Sequence, residues 1–345
     1  MLRVFLAPTL LLFAFAGCKK EAPPAPAPAA PTAEPSRLAD PACVGRWDDS
    51  GATRTVESGG KTFTVKGSRV EETTKDDDDQ LVLGVVADVK EDTPENIANL
   101  DAIIKFFKES KVEAIVVDGD LGEDQKQIEN VLAKLAESGL PLFSIIGNRD
   151  SRAAYDNAMA AVSARYPGLF NLDQIRAVSF DDGALVSMPG YHNKVYIHAE
   201  DGCLYGPADL EATKPAVAAL KGKTIVMVSH GPPKQDGADA LDRTLEQVNV
   251  GDPAMSEFLR EQGIKLGIFA NVREAGGRAT NLPGMALVKE GVFSEELYLS
   301  NGPADSVRWT MNDGTESVGM ASLFTIKGNK ASFKTFRVHP KATKK

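Results

Sequence analysis

From residue 81 onward, short apolar runs at 81–87, 112–117, 142–146, 184–188, 224–229 and 265–269 are separated by stretches with helical spacing. This alternation limits the fold more than any other feature of the chain. Each run is too short for a helix of ordinary length, and the intervening stretches supply crossovers, so an α/β sheet is expected. Between the first two runs, Thr93 and Pro94 read as an N-cap and a first-turn proline. Ile97, Leu100, Ile103, Ile104 and Phe107 then share one helical face. Ile128, Val131, Leu132 and Leu135 repeat the pattern before the third run.

After residue 284 the spacing turns to short alternating strands. Ahead of the first run, residues 42–79 are polar with one alternating stretch at 61–66, and they read as a small β appendage. The carboxylate run Asp76 to Asp79 lacks the glycine turn of a calcium loop and reads as a solvated boundary. Residues 80–340 are taken as one domain.

Polar residues of unusual type follow the runs. They are Asp88-Val89-Lys90, Asp118-Gly119-Asp120, Gly147-Asn148-Arg149-Asp150, Ser229-His230-Gly231 and Asn271-Val272-Arg273. Ligands of open α/β sheets bind at the carboxyl ends of the strands, so a site is expected there. Tyr191 and His192, after Pro189-Gly190, read as a loop beside that crevice. His198 and His339 lie away from any motif. No nucleophile elbow and no phosphate-cradling glycine loop with lysine is present.

The order of these blocks resembles that of the calcineurin-like metallophosphoesterases: Asp-x-His, Gly-Asp, Gly-Asn-His-Asp/Glu, a later His, then Gly-His-x-His. The resemblance implies a phosphoesterase sandwich of two central β-sheets flanked by helices. In that family two divalent ions share a bridging aspartate and activate a water that attacks phosphorus. It places Asp88 in the first metal site, Asp120 at the bridge, and Asn148 and His230 in the second site. Arg149 and Asp150 fall on the block that carries the leaving-group histidine.

The departures from the family pattern are Lys90, Arg149, Asn271 and Arg273, each standing where the family has histidine, and Ala270 in place of glycine. Protonated lysine and arginine have no lone pair to offer a metal. A unit positive charge ~4 Å from a divalent ion costs roughly 8 kcal/mol at an effective dielectric of about 20. The first metal is therefore expected to be absent, with Lys90, Arg149 and Arg273 forming an anion-binding group opposite Asp88 and Asp120. Asp120, Asn148, His230 and Asn271 form a residual second site, so the cofactor is either none or one divalent metal ion. Two functions follow: a weakened or inactive binding module, with a phosphate-containing ligand, or a mononuclear phosphoesterase.

Residues 1–17 carry one charge, Arg3, then an apolar run, and read as a secretory signal. Phe15-Ala16-Gly17-Cys18 resembles a bacterial lipobox, which implies cleavage before Cys18 and a lipid anchor on it. Residues 18–41 are rich in proline and alanine and read as an extended tether. The expected location is the bacterial cell envelope, on its periplasmic or surface face, with a membrane as partner through Cys18. Loss of Arg3 moves the net charge from −9 to −10, which excludes nucleic-acid binding through bulk electrostatics. No protein partner is indicated. With Cys18 acylated, Cys43 and Cys203 remain as a pair in an oxidising compartment, and a disulfide is expected between them.

Overall fold

The computed structural model describes residues 43–338. The signal, the tether with Cys18, and His339 lie outside the described residues. In chain order the elements begin with β1 (Arg54–Ser58), β2 (Lys61–Lys66), β3 (Arg69–Glu72), β4 (Gln80–Val86), α1 (Pro94–Glu109), β5 (Ala114–Asp118), α2 (Gln125–Ala136), β6 (Leu142–Ile145) and α3 (Arg152–Ser163). They continue with β7 (Leu169–Asn171), β8 (Ala177–Ser179), β9 (Ala184–Met188), α4 (Pro207–Ala219), β10 (Ile225–Ser229), α5 (Pro253–Gln262) and β11 (Leu266–Phe269). The last are β12 (Arg278–Thr280), β13 (Leu287–Val288), β14 (Leu297–Ser300), β15 (Trp309–Thr310), β16 (Glu316–Ser317), β17 (Met320–Lys327) and β18 (Lys330–Arg337).

A six-stranded sheet runs β18-β17-β4-β5-β6-β7, and a ten-stranded sheet runs β1-β2-β3-β8-β9-β10-β11-β14-β12-β13. Strands β4 to β7 are parallel to one another, as are β9, β10 and β11. All six apolar runs are strands. Local chemistry sets the crossovers: the Thr93 side chain accepts from the Asn96 amide ahead of α1, and Asp124 does the same for Gln127 ahead of α2.

One face of each sheet contributes to a shared apolar layer. Leu83, Val85, Val116, Phe143 and Ile145 from the smaller sheet meet Leu185, Val226, Val228, Ile268 and Leu299 from the larger. This is the two-sheet sandwich that the motif order implies. The β1–β3 appendage joins it as an edge, because β3 pairs in parallel with β8. Phe63 of β2 is fully buried, with its ring 5.5 Å from that of Phe170 and 6.1 Å from that of Phe143. An aromatic side chain packed in this way contributes on the order of 3–5 kcal/mol by truncation, which fastens the meander to the core.

Cys43 and Cys203 are joined by a disulfide, Cα to Cα 5.3 Å. No helix among the described residues is long and apolar enough to cross a membrane.

Candidate functional site

The parallel strands of the two sheets bring their carboxyl ends together, and the loops leaving them are tightly constrained. Among the described residues six non-glycine residues have positive φ, and four of them lie here: Asp88 (53°), Lys90 (65°), Asp120 (56°) and Asn271 (60°). Left-handed backbone at a residue with a Cβ costs of order 1–3 kcal/mol and persists where the surroundings enforce it. The enforcing bonds are visible: Asp88 N donates to Gly119 O (3.0 Å) and Lys90 N to Asp120 O (2.9 Å). Gly119 is required by close approach as well as by its φ of 75°, since a Cβ would sit 2.7 Å from His230 Nδ1.

Asp88, Asp120 and His230 are wholly buried, and one ligand atom from each lies within 4.8 Å of the others. His230 Nδ1 is 2.7 Å from the Asp118 carbonyl, an acceptor only, so Nδ1 carries a proton. Nε2 then faces two further oxygens, Asn148 Oδ1 at 3.0 Å and Asp120 Oδ1 at 3.3 Å. The Asn148 amide cannot turn to relieve this, because its Nδ2 donates to Tyr196 O at 2.5 Å. Three lone-pair atoms converging on one point need a cation or a proton between them. The donor set of the second metal site therefore fits an ion, and a doubly protonated His230 satisfies the same geometry. Burial opposes charge on His230, yet Asp120, Asp88 and Asp118 together push it up to about 10. Burial also works to raise Asp120, but His230 and the Arg149 amide outweigh it and hold that carboxyl below the usual range.

The first metal site does not fit an ion. Arg273 Nε lies 3.5 Å from Asp88 Oδ1, a fixed positive charge beside the carboxylate that would have to ligate. Burial raises Asp88, against the pull of Lys90 and Arg273. Asp118, whose carboxyl oxygens are buried without hydrogen-bond partners, is lifted by burial to about 7.

Three expectations are corrected. Lys90 acts on Asp88 through its charge, but its ion pair is with a residue outside the motif blocks: its Nζ is 2.5 Å from Asp305 Oδ2. Arg149 is not part of an anion-binding group, because its guanidinium pairs with the exposed Glu123 at 3.0 Å and only its backbone amide, 2.9 Å from Asp120 Oδ1, touches the site. Asp150 is a staple and not a catalytic group. Its buried carboxylate accepts from the amides of Asp120 (2.9 Å), Leu121 (2.7 Å), Gly122 (3.2 Å) and Gly147 (2.8 Å). Asn271 donates its Nδ2 to the Tyr191 hydroxyl (3.0 Å). Tyr191 is itself fully buried, and His198 enters only through its amide, which donates to Asn148 O (2.9 Å).

Sequence reasoning missed Asp305 and Trp309. Trp309 Nε1 donates to Asp305 Oδ1 (2.8 Å), and its ring lies 4.7 Å from Lys90 Nζ and 4.8 Å from Arg273 Cζ. No motif marks them; the only available signal was a tryptophan in a chain that has two. The carboxylates at the other end of the sheet, Asp76, Asp181 and Asp182, are partly answered by Lys75, 3.2 Å from Asp181, and Lys61, 3.9 Å from Asp76.

The sequence profile of the calcineurin-like phosphoesterases matches residues 81–270, from the first strand of the smaller sheet to the end of β11. The chain belongs to that family. Its fold is similar to that of the TT1561 protein of Thermus thermophilus, with 14% identity and a TM-score of 0.55 over 75% of this chain and 99% of that one. A dimetal phosphatase from Danio rerio aligns at 12% identity and a TM-score of 0.44, over 75% of this chain and 99% of that one. No curated protein matches the sequence. Identities this low speak to the fold alone, so function has to come from the side chains of this chain.

Proposed function

We propose that this chain is a phosphoesterase-fold binding module without turnover, held at a bacterial cell envelope by a lipid on Cys18. The observation that carries the reading is the Arg273–Asp88 pair: a protein cation answers the carboxylate that the first metal would need. His230 and Asp120 are similarly matched at 3.3 Å, so the old metal cleft is balanced by its own residues. Such a pocket lacks the metal-bound nucleophile of the family and has no imidazole at 149 to help a leaving group, help that is typically worth ~10²–10⁴-fold. Elemental analysis of the purified mature protein, with a phosphodiester hydrolysis assay beside it, is the test. No bound metal and no turnover are expected. Hydrolysis at ordinary enzyme rates, abolished by Asp120→Ala, overturns the reading. The anchor is checked separately by incorporation of labelled fatty acid, expected to vanish in Cys18→Ala.

One observation favours a second reading, a mononuclear phosphoesterase. The Nδ1–H of His230 is fixed on a carbonyl, which is how metal-bound imidazoles are commonly oriented. Asp120, Asn148 and His230 would hold the ion, which would supply charge stabilisation at phosphorus and an activated water. Arg273 would neutralise phosphate charge, while Arg149 points elsewhere. This reading requires about one equivalent of metal, lost together with activity in His230→Ala.

A further inference from the structure

Lys90, Asp305 and Trp309 surround Arg273 in a group of which the two readings use only the arginine. The segment carrying Asp305 and Trp309 straps the mouth of the cleft. Ala304 N donates to Ala87 O (2.9 Å), Ser306 N to Asn96 Oδ1 (2.7 Å), and Asn312 N to Glu274 O (2.7 Å), so it spans from the first strand-end loop to the Arg273 turn. Asp305 is 2% exposed, and its carboxylate serves three donors: Lys90 through one oxygen, Trp309 Nε1 and the Val307 amide (3.2 Å) through the other. The Trp309 ring lies against both cations, and Arg273 Nε is buried with no hydrogen-bond partner.

The charges of this group balance at two against two: Lys90 and Arg273 against Asp88 and Asp305. Withdrawing Asp305 leaves one net positive charge, an unpaired ammonium, a guanidinium with a free donor, and an aromatic wall. A singly charged phosphate oxyanion matches that set. It has more acceptor atoms than a carboxylate and can take from both the lysine and the arginine fork.

We propose that Asp305 is an internal competitor, and that Lys90 and Arg273 bind the anionic oxygens of a phosphodiester or a phosphate monoanion once the Asp305 carboxylate gives way. The inference rests on the binding reading of the site and supplies its ligand class and its gate. Arginine and lysine together give the ligand its charge match; Trp309 registers the exchange, since its indole is tied to the same carboxylate.

The test uses the purified mature protein and its Asp305→Asn variant, which keeps the acceptor oxygen for Trp309 and Val307 and replaces the charged acceptor facing Lys90 by an amide donor. A Trp47→Phe background leaves Trp309 as the sole indole. Dimethyl phosphate, inorganic phosphate and acetate are titrated by calorimetry and by Trp309 emission. Dimethyl phosphate is expected to bind Asp305→Asn about tenfold tighter than the parent, an effect of the size of one charged interaction, with a shift in emission. Inorganic phosphate is expected to follow it, which separates a free phosphate from a requirement for a diester. The gain should vanish in Lys90→Gln/Asp305→Asn.

A folded Asp305→Asn with unchanged affinity overturns the proposal, as does equal binding when Lys90 is lost. Acetate binding as tightly as dimethyl phosphate overturns the assignment to phosphate. Release of methanol from dimethyl phosphate would overturn the non-catalytic reading and leave the competitor role of Asp305 standing, so the two fail separately.

Discussion

The two halves of the old metal cleft differ in kind. Around Asp120 the atoms that the motif order assigns to a second site converge: the His230 ring is fixed by a carbonyl, the Asn148 amide by another, and both lie at the same carboxylate. Around Asp88 the imidazoles are gone, Arg273 pairs with the carboxylate, Lys90 has turned to Asp305, and Trp309 covers both cations. A single exchange of histidine for a permanent cation does more than delete a ligand. It creates a charge that must be answered, and the answer here comes from a strap more than 200 residues along the chain from Lys90.

The sharpest way to break this contrast is to undo it. Lys90→His/Arg273→His puts two imidazoles beside Asp88, and elemental analysis is expected to find more divalent metal than in the parent; a folded double variant with no gain would show that these two cations are not what excludes the ion. The next largest effect is on stability. Asp120→Asn leaves the buried His230 charge without its partner and is expected to cost about 3 kcal/mol in denaturant unfolding, whereas Asp88→Asn, which removes a charge that burial disfavours, should cost about 1 kcal/mol or less. Equal losses at the two aspartates would erase the distinction between the halves.

A pH series separates a proton from a metal at His230. Its pKa is about 10 in the folded protein against 6.5 when unfolded. Its contribution to stability is therefore fully present below pH 6.5 and lost as pH rises towards 10. That alkaline slope should disappear in His230→Gln, and its absence from the parent would favour an ion at Nε2. The smallest effect is predicted for Arg149→Ala, within about 0.5 kcal/mol, because its partner Glu123 is exposed and surface pairs contribute little.

Much of the scaffold is legible in the sequence. The six apolar runs become β4, β5, β6, β9, β10 and β11, and Thr93-Pro94 starts α1, because strand length, periodicity and capping are local properties. The blocks at the strand ends named Asp88, Asp120, Asn148 and His230 for a similar reason: a β-to-α turn fixes where a Cα stands in the sheet. It does not fix where a long side chain goes. Arg149 presents its amide inward and its guanidinium outward, and Asp150 spends its carboxylate on four amides. Lys90 found Asp305, and Asn271 found Tyr191, through tertiary contacts that no window of sequence contains. The meander's place in the large sheet escaped for the same reason, since it depends on the parallel pairing of β3 with β8.

The Cys43–Cys203 bridge joins residues at a sequence separation of 160, and the ring it closes holds Asp88, Asp120 and Asn148 but not His230. Proteolysis at any single peptide bond within it leaves one covalent molecule. A nicked chain would migrate intact on a non-reducing gel and fall into two fragments only when reduced, and a protease cutting there would sever no part of the cleft from the rest.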